Sequence, residues 1–197
     1  MKIFKKTAFK ENKQRGFSFI ESILAVFMVS VGMIAVLSLI SKNLKESIDS
    51  RDQITASLLA QEGIELVRNL RDNNWAQAKS TFEKGFPNSS MSKCSITYKE
   101  FAISCGGSSL DGTTLRLNID KFFDYYSSVK QTKFRRKIMV SYDTNNKNTA
   151  TSATIYSIVT WKNASNHTIV NPPNSDNCNS RNKCAFVKIV LTRWGGI

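Results

Sequence analysis

Few residues in this chain are of a type that does chemistry. The four cysteines stand at 94, 105, 178 and 184 without C-x-x-C spacing, and the single histidine, His167, sits in an asparagine-rich stretch. A zinc site would need two distant cysteine pairs to converge, whereas an even cysteine count suits disulfides in an oxidising compartment. There is no Gly-rich phosphate loop, no H-E-x-x-H helix and no nucleophile elbow. The sequence therefore offers no catalytic group, and neither a cofactor nor a metal is expected. Two features remain: one carboxylate, Glu21, and a basic cluster at Lys130, Lys133, Arg135, Arg136 and Lys137 with Tyr125, Tyr126 and Phe134 nearby.

Glu21 is notable for its surroundings. From Phe17 to Ile40 it is the single charge in 24 positions. At about 1.5 Å per residue, a helix of that length covers a bilayer core of about 30 Å. A carboxylate inside such a helix costs about 2.5–3.5 kcal/mol at mid-membrane, less near the end, and an amino group from a neighbouring chain would offset part of that. Residues 1–16 carry six Lys/Arg and one Glu, which holds that end on the cytoplasmic side. A secretory signal also begins basic and then turns apolar. Its apolar core is shorter, about 7–15 residues, and ends at a small-x-small cleavage site that is missing here. A plain signal anchor is the simpler alternative.

Arg15-Gly16 followed by Phe17-Ser18-Phe19-Ile20-Glu21-Ser22 resembles the class III signal of type IV pilins and pseudopilins. The resemblance implies that a prepilin peptidase cuts between Gly16 and Phe17 and methylates the new terminus. It also implies that Glu21 neutralises the Phe17 amino group of an adjacent subunit during assembly. Major subunits of that family usually carry an early proline, but the first proline here is Pro87. A continuous membrane helix, as in many minor pilins, is the expectation.

Beyond Ile40, apolar residues at Leu37, Ile40, Leu44, Ile48, Ile54, Leu58, Leu59, Ile64, Val67 and Leu70 keep near one helical face. The pattern predicts one helix from about Ser18 to Asn74, with residues 17–40 in the membrane and 41–75 as a stem. Leu59 to Trp75 resembles the segment after the span in minor pilins of the PilV type, the type IV pilus modification proteins. Glu65, Arg68, Asp72 and Trp75 are the stem-packing candidates. Glu65–Arg68 and Arg68–Asp72 have ion-pair spacing, Trp75 would seal the helix end, and Gly63 would permit a close crossing.

From position 76 onward, alternation and turn signals replace helical spacing. Strands are expected at Ser95–Ile103, Thr114–Ile119, Phe122–Tyr126, Phe134–Tyr142, Thr154–Trp161 and Ala185–Trp194. An antiparallel sheet packed on the stem helix would bury both apolar faces, giving an α+β, type IV pilin-like fold with residues 76–197 as its head. Among three possible disulfide connectivities, the local one joins Cys94 to Cys105 and Cys178 to Cys184, and free buried cysteines are the alternative.

Residues 81–197 carry 16 Lys/Arg against 7 Asp/Glu. The basic cluster could meet DNA phosphates, an anionic surface or an acidic subunit, although strand alternation lets only part of it face one way. The resemblance implies a non-enzymatic minor pilin that primes or modifies pilus assembly. Its partners would be the prepilin peptidase, other major and minor pilins, the inner-membrane assembly platform and the lipid bilayer. Its location would be the inner membrane, with the head outside the cytoplasm, and then the pilus at the cell surface. A type II secretion pseudopilin and a pilus-borne DNA- or surface-binding module are the alternatives.

Overall fold

The computed structural model describes residues 16, 18–78, 82, 84–98, 102–106, 114–117, 123–124, 130–161 and 173–193. One helix, α1, runs from Phe19 to Ala76. Ser18 opens it, its carbonyl accepting the N–H groups of Glu21 and Ser22 at 3.0 and 3.1 Å. Glu21 lies in the first turn, where a negative charge meets the positive end of the helix dipole. Ser30 and Ser41 donate their hydroxyls to the carbonyls of Val26 and Leu37 at 2.7 and 2.9 Å. A hydroxyl in apolar surroundings is thereby satisfied within its own helix. Ala78 ends the element in the left-handed region, φ 53°, its N–H bonded to the carbonyl of Trp75.

By contact the chain divides after Ser47 into two compact units. In the first, every described residue is exposed, and an 18-residue window of α1 with mean hydropathy 2.8 is wholly unburied. It is long and apolar enough to cross a membrane. The second unit holds residues 48–76 of α1 and seven strands: β1 Met91–Ser95, β2 Ser104–Cys105, β3 Thr114–Leu117, β4 Phe123–Asp124, β5 Lys130–Tyr142, β6 Ser152–Thr160 and β7 Cys184–Thr192.

All strand pairings are antiparallel, and β5 is their hub. Arg135 pairs with both Thr160 and Thr114, and Ile138 with both Ser157 and Cys94. A strand has two edges, so β6 takes one, and β3 and β1 share the other end to end. β7 lies beyond β6, β2 beyond β1, and β4 beyond β3.

The core follows from two periodicities. Ala56, Leu59, Ala60, Gly63, Ile64, Val67, Leu70 and Asn74 are the buried residues of α1, at helical spacing. Against them lie alternate residues of β5 and β6, among them Phe134, Ile138, Val140, Ala153, Ile155 and Val159. The other sheet face carries a smaller cluster, Met139, Ile158, Cys178 and Cys184, with Tyr156 and Phe186 packed on it. The result is the expected α+β architecture, a long N-terminal helix whose later turns pack on an antiparallel sheet.

Several expectations need correction. Of the strand expected at Ser95–Ile103, Ser95 ends β1, and the other described residues, 96–98 and 102–103, are not strand. Cys94 and Cys105 are register partners, so the chain must reverse between them, and the strands flank that segment. The apolar stripe expected from Leu37 onward is not buried over its first part: Ile48, Ile54 and Leu58 are all about 60% exposed, and burial starts at Ala56. Trp75 does not seal the helix end, being 57% exposed. The buried phase 67–70–74 falls on Asn74, whose amide donates to the carbonyl of Lys84 at 2.7 Å, and Trp75 points about 100° away.

The β5–β6 hairpin is closed by a carboxylate. Asp143 accepts hydrogen bonds from the Thr151 hydroxyl, from the N–H groups of Thr151 and Ser152 at 3.0–3.1 Å, and from the Ser152 hydroxyl at 3.2 Å. These bonds, the Thr151 hydroxyl first, hold its pKa below the ordinary carboxylate value. A carboxyl with a depressed folded-state pKa stabilises the fold above its unfolded pKa of about 4, and the contribution is lost as pH falls through the folded value. Asp143→Asn is therefore expected to flatten the loss of thermal stability below about pH 4, as read from melting curves across pH. A variant with unchanged acid sensitivity would contradict this role.

Candidate functional site

Within the head, a buried polar arrangement joins α1 to the sheet. Arg136 stands on β5 between Phe134 and Ile138, on the core face, and is fully buried. Its guanidinium donates to the carbonyls of Leu59 at 3.2 Å and Ile96 at 3.0 Å, and meets the Glu62 carboxylate at 3.2 Å. One side chain thus ties together α1, the strand hub and the segment after β1. Gly63 lets the helix come this close. A Cβ there would overlap the Ser157 hydroxyl and approach Arg136 Cδ at 3.0 Å and Ile138 Cδ1 at 3.2 Å. The Ser157 hydroxyl itself finds no hydrogen-bond partner among the described residues.

Two further ion pairs lie along the same helix. Lys133 Nζ reaches Asp52 at 2.6 Å, and Lys183 Nζ reaches Asp49 at 2.6 Å. On the surface, Glu65 pairs with Arg68 at 2.7 Å as the spacing suggests. Asp72, however, meets Arg71 at 2.7 Å and not Arg68. Glu65, Arg68 and Asp72 are exposed or half-exposed, so the charged stem residues lie on the solvent face and do not pack the stem.

The expected basic surface is dispersed by the fold. Arg136 is inside. Lys137 is 8% exposed, Lys133 is engaged by Asp52, and Arg135 is half-buried. Lys130 is placed by its backbone at the start of β5, opposite Leu117. Its side chain, Tyr125 and Tyr126 lie outside the described residues, as do His167 and Trp194. Strand parity separates Arg136, on the core face with Phe134, from Lys133, Arg135 and Lys137, and the burial of Lys137 and the Lys133–Asp52 pair break up the remaining three.

Both local disulfides are formed, Cys94–Cys105 across β1 and β2, and Cys178–Cys184 across the turn before β7. The second closes an asparagine-capped turn in which the Asn174 side chain accepts from the N–H groups of Asp176 and Asn177, and that of Asn179 from the N–H of Asn182. The turn delivers Lys183 in the left-handed region, φ 53°. Among the described residues, no group of three His, Cys, Asp or Glu is placed to hold a metal ion.

At the N-terminal end, Glu21 is exposed in the first turn of α1, and Phe17 lies outside the described residues. A Cβ on Gly16 would meet none of the described residues within 4 Å.

Together these features define an α+β fold of pilin-like architecture. Its N-terminal helix is apolar and unburied at the start and forms part of the head core at the end. Compared with protein-family models, curated proteins and solved structures, the chain matches none.

Proposed function

We propose that the protein is a minor pilin of the PilV type, a structural subunit and not an enzyme. In this reading a prepilin peptidase cuts between Gly16 and Phe17. The subunit then waits in the inner membrane on residues 17–40 with its head outside the cytoplasm. The assembly platform builds it into a type IV pilus beside major and other minor pilins.

One observation carries the reading: Glu21 is the single charge in residues 17–40, the apolar, unburied start of a helix whose later turns belong to the core of a disulfide-bearing head. An ordinary anchor gains nothing from a carboxylate in the span, whereas a subunit that must meet a neighbour's amino terminus does. A DNA- or surface-binding role loses support, since Arg136, Lys137 and Lys133 are buried or already paired.

The test is recovery in sheared filaments. Wild-type protein is expected in the filament fraction. Glu21→Val is expected to reach the membrane normally but to fall about tenfold or more in filaments, equivalent to losing roughly 1.4 kcal/mol of pairing. Equal recovery of both would overturn the assembly role of Glu21. Absence of the wild type from filaments, with loss of protein export on its deletion, would point to a type II secretion pseudopilin.

A further inference from the structure

The first turns of α1 in the head are docked in an unusual way. Between positions 48 and 55 the residues turned partly inward are Asp49, Asp52 and Thr55, while Ile48 and Ile54 are about 60% exposed. The face toward the head is thus the polar one, and the apolar side points away. Asp49 meets Lys183 and Asp52 meets Lys133, each at 2.6 Å, before apolar burial begins at Ala56.

Apolar burial and partly exposed ion pairs respond differently to their surroundings. The first is insensitive to ionic strength, while the second weakens as the Debye length shrinks from about 10 Å at 0.1 M to about 3 Å at 1 M salt. Past Ala56 the helix is held by a core and by buried Arg136. Before it, Lys183 and Lys133 reach the helix through Asp49 and Asp52. One of these comes from the strand hub, and the other from the turn closed by Cys178–Cys184.

We propose that residues 48–55 of α1 form an ionic latch, docked on the head through Asp49–Lys183 and Asp52–Lys133 and released when those pairs are screened or competed away. The Cys178–Cys184 turn is part of the device, because it fixes Lys183 in the left-handed conformation that aims it at the helix. The latch stands or falls independently of the pilus reading.

Nitroxide labels carried by unnatural residues at Ser50 and Ser141, both exposed, leave the two disulfides intact and report the distance from latch to sheet in the full-length protein in detergent micelles. At low salt one narrow distance is expected. At about 1 M NaCl it should broaden and lengthen by about 5 Å, one helical turn. Asp49→Lys with Asp52→Lys should give the broad distribution already at low salt. Adding Lys183→Asp and Lys133→Asp should restore the narrow one. Far-UV circular dichroism and tryptophan emission confirm that each variant retains the fold. A distance that is unchanged by salt and by the reversals would overturn the latch, as would re-paired charges that fail to restore docking.

Discussion

Replacing Arg136 with alanine is expected to destabilise the head by about 3–5 kcal/mol, whereas methionine at the same position costs less, about 1–3 kcal/mol. The asymmetry follows from what the side chain does. Its aliphatic stem is fully buried between helix and sheet, and its guanidinium serves the carbonyls of Leu59 and Ile96 and the Glu62 carboxylate. Alanine removes the stem, leaves a cavity, and strips the Ile96 carbonyl of this donor. Methionine leaves that carbonyl without this donor too, but it keeps most of the volume and removes a charge whose burial was costly in the first place. Glu62 is partly exposed, so water can take over its carboxylate in either variant. Urea unfolding of the full chain in detergent, followed by tryptophan emission, distinguishes the two. An alanine variant within about 0.5 kcal/mol of the parent would mean that Arg136 is not the clamp described.

Gly63 should give the second large effect. Judged by helix propensity alone, Gly63→Ala would stabilise by about 1 kcal/mol. The local geometry opposes that gain, because the new Cβ would overlap the Ser157 hydroxyl and press on Arg136 and Ile138. Overpacking costs about 1–3 kcal/mol, so we expect a net loss for alanine and a loss near 3 kcal/mol for Gly63→Val. The nearest obstruction is one oxygen without a partner among the described residues, so Ser157→Ala alone should be nearly neutral. The same change should recover part of the loss in Gly63→Ala, and a double-mutant cycle reads that coupling directly. Stabilisation by Gly63→Ala in the parent would show that the crossing is looser than the structure has it.

How much of this could be read from the sequence varies by residue. The helix, the sheet and both disulfides follow from local signals: an unbroken apolar period, alternation, and cysteines separated by 11 and 6 positions. Arg136 was legible in principle. It shares parity with Phe134, Ile138, Val140 and Tyr142, and a strand cannot turn those inward while turning Arg136 out. Residue type obscured the signal, since five basic side chains within eight positions suggest a charged surface. Trp75 shows the same error in reverse, a large aromatic beside the position that helical phase actually buries, Asn74. The partners of Lys133 and Lys183 were not legible. Asp52 precedes Lys133 by 81 residues, and nothing local specifies which acid a distant strand or turn will bring to the helix. At the N-terminus the position is reversed. Glu21 and Gly16 stand out in the sequence, and the structure adds that Glu21 is exposed in the first turn of its helix.

The most direct test of the central claim is the identity of the mature N-terminus. Co-expression with a prepilin peptidase, followed by intact mass and N-terminal sequencing, compares the parent with Gly16→Ala. We expect a chain of 181 residues beginning at N-methylated Phe17, and retention of the leader in the variant. A parent chain that keeps residues 1–16 in the presence of active peptidase would contradict the account and leave residues 17–40 as an ordinary membrane anchor.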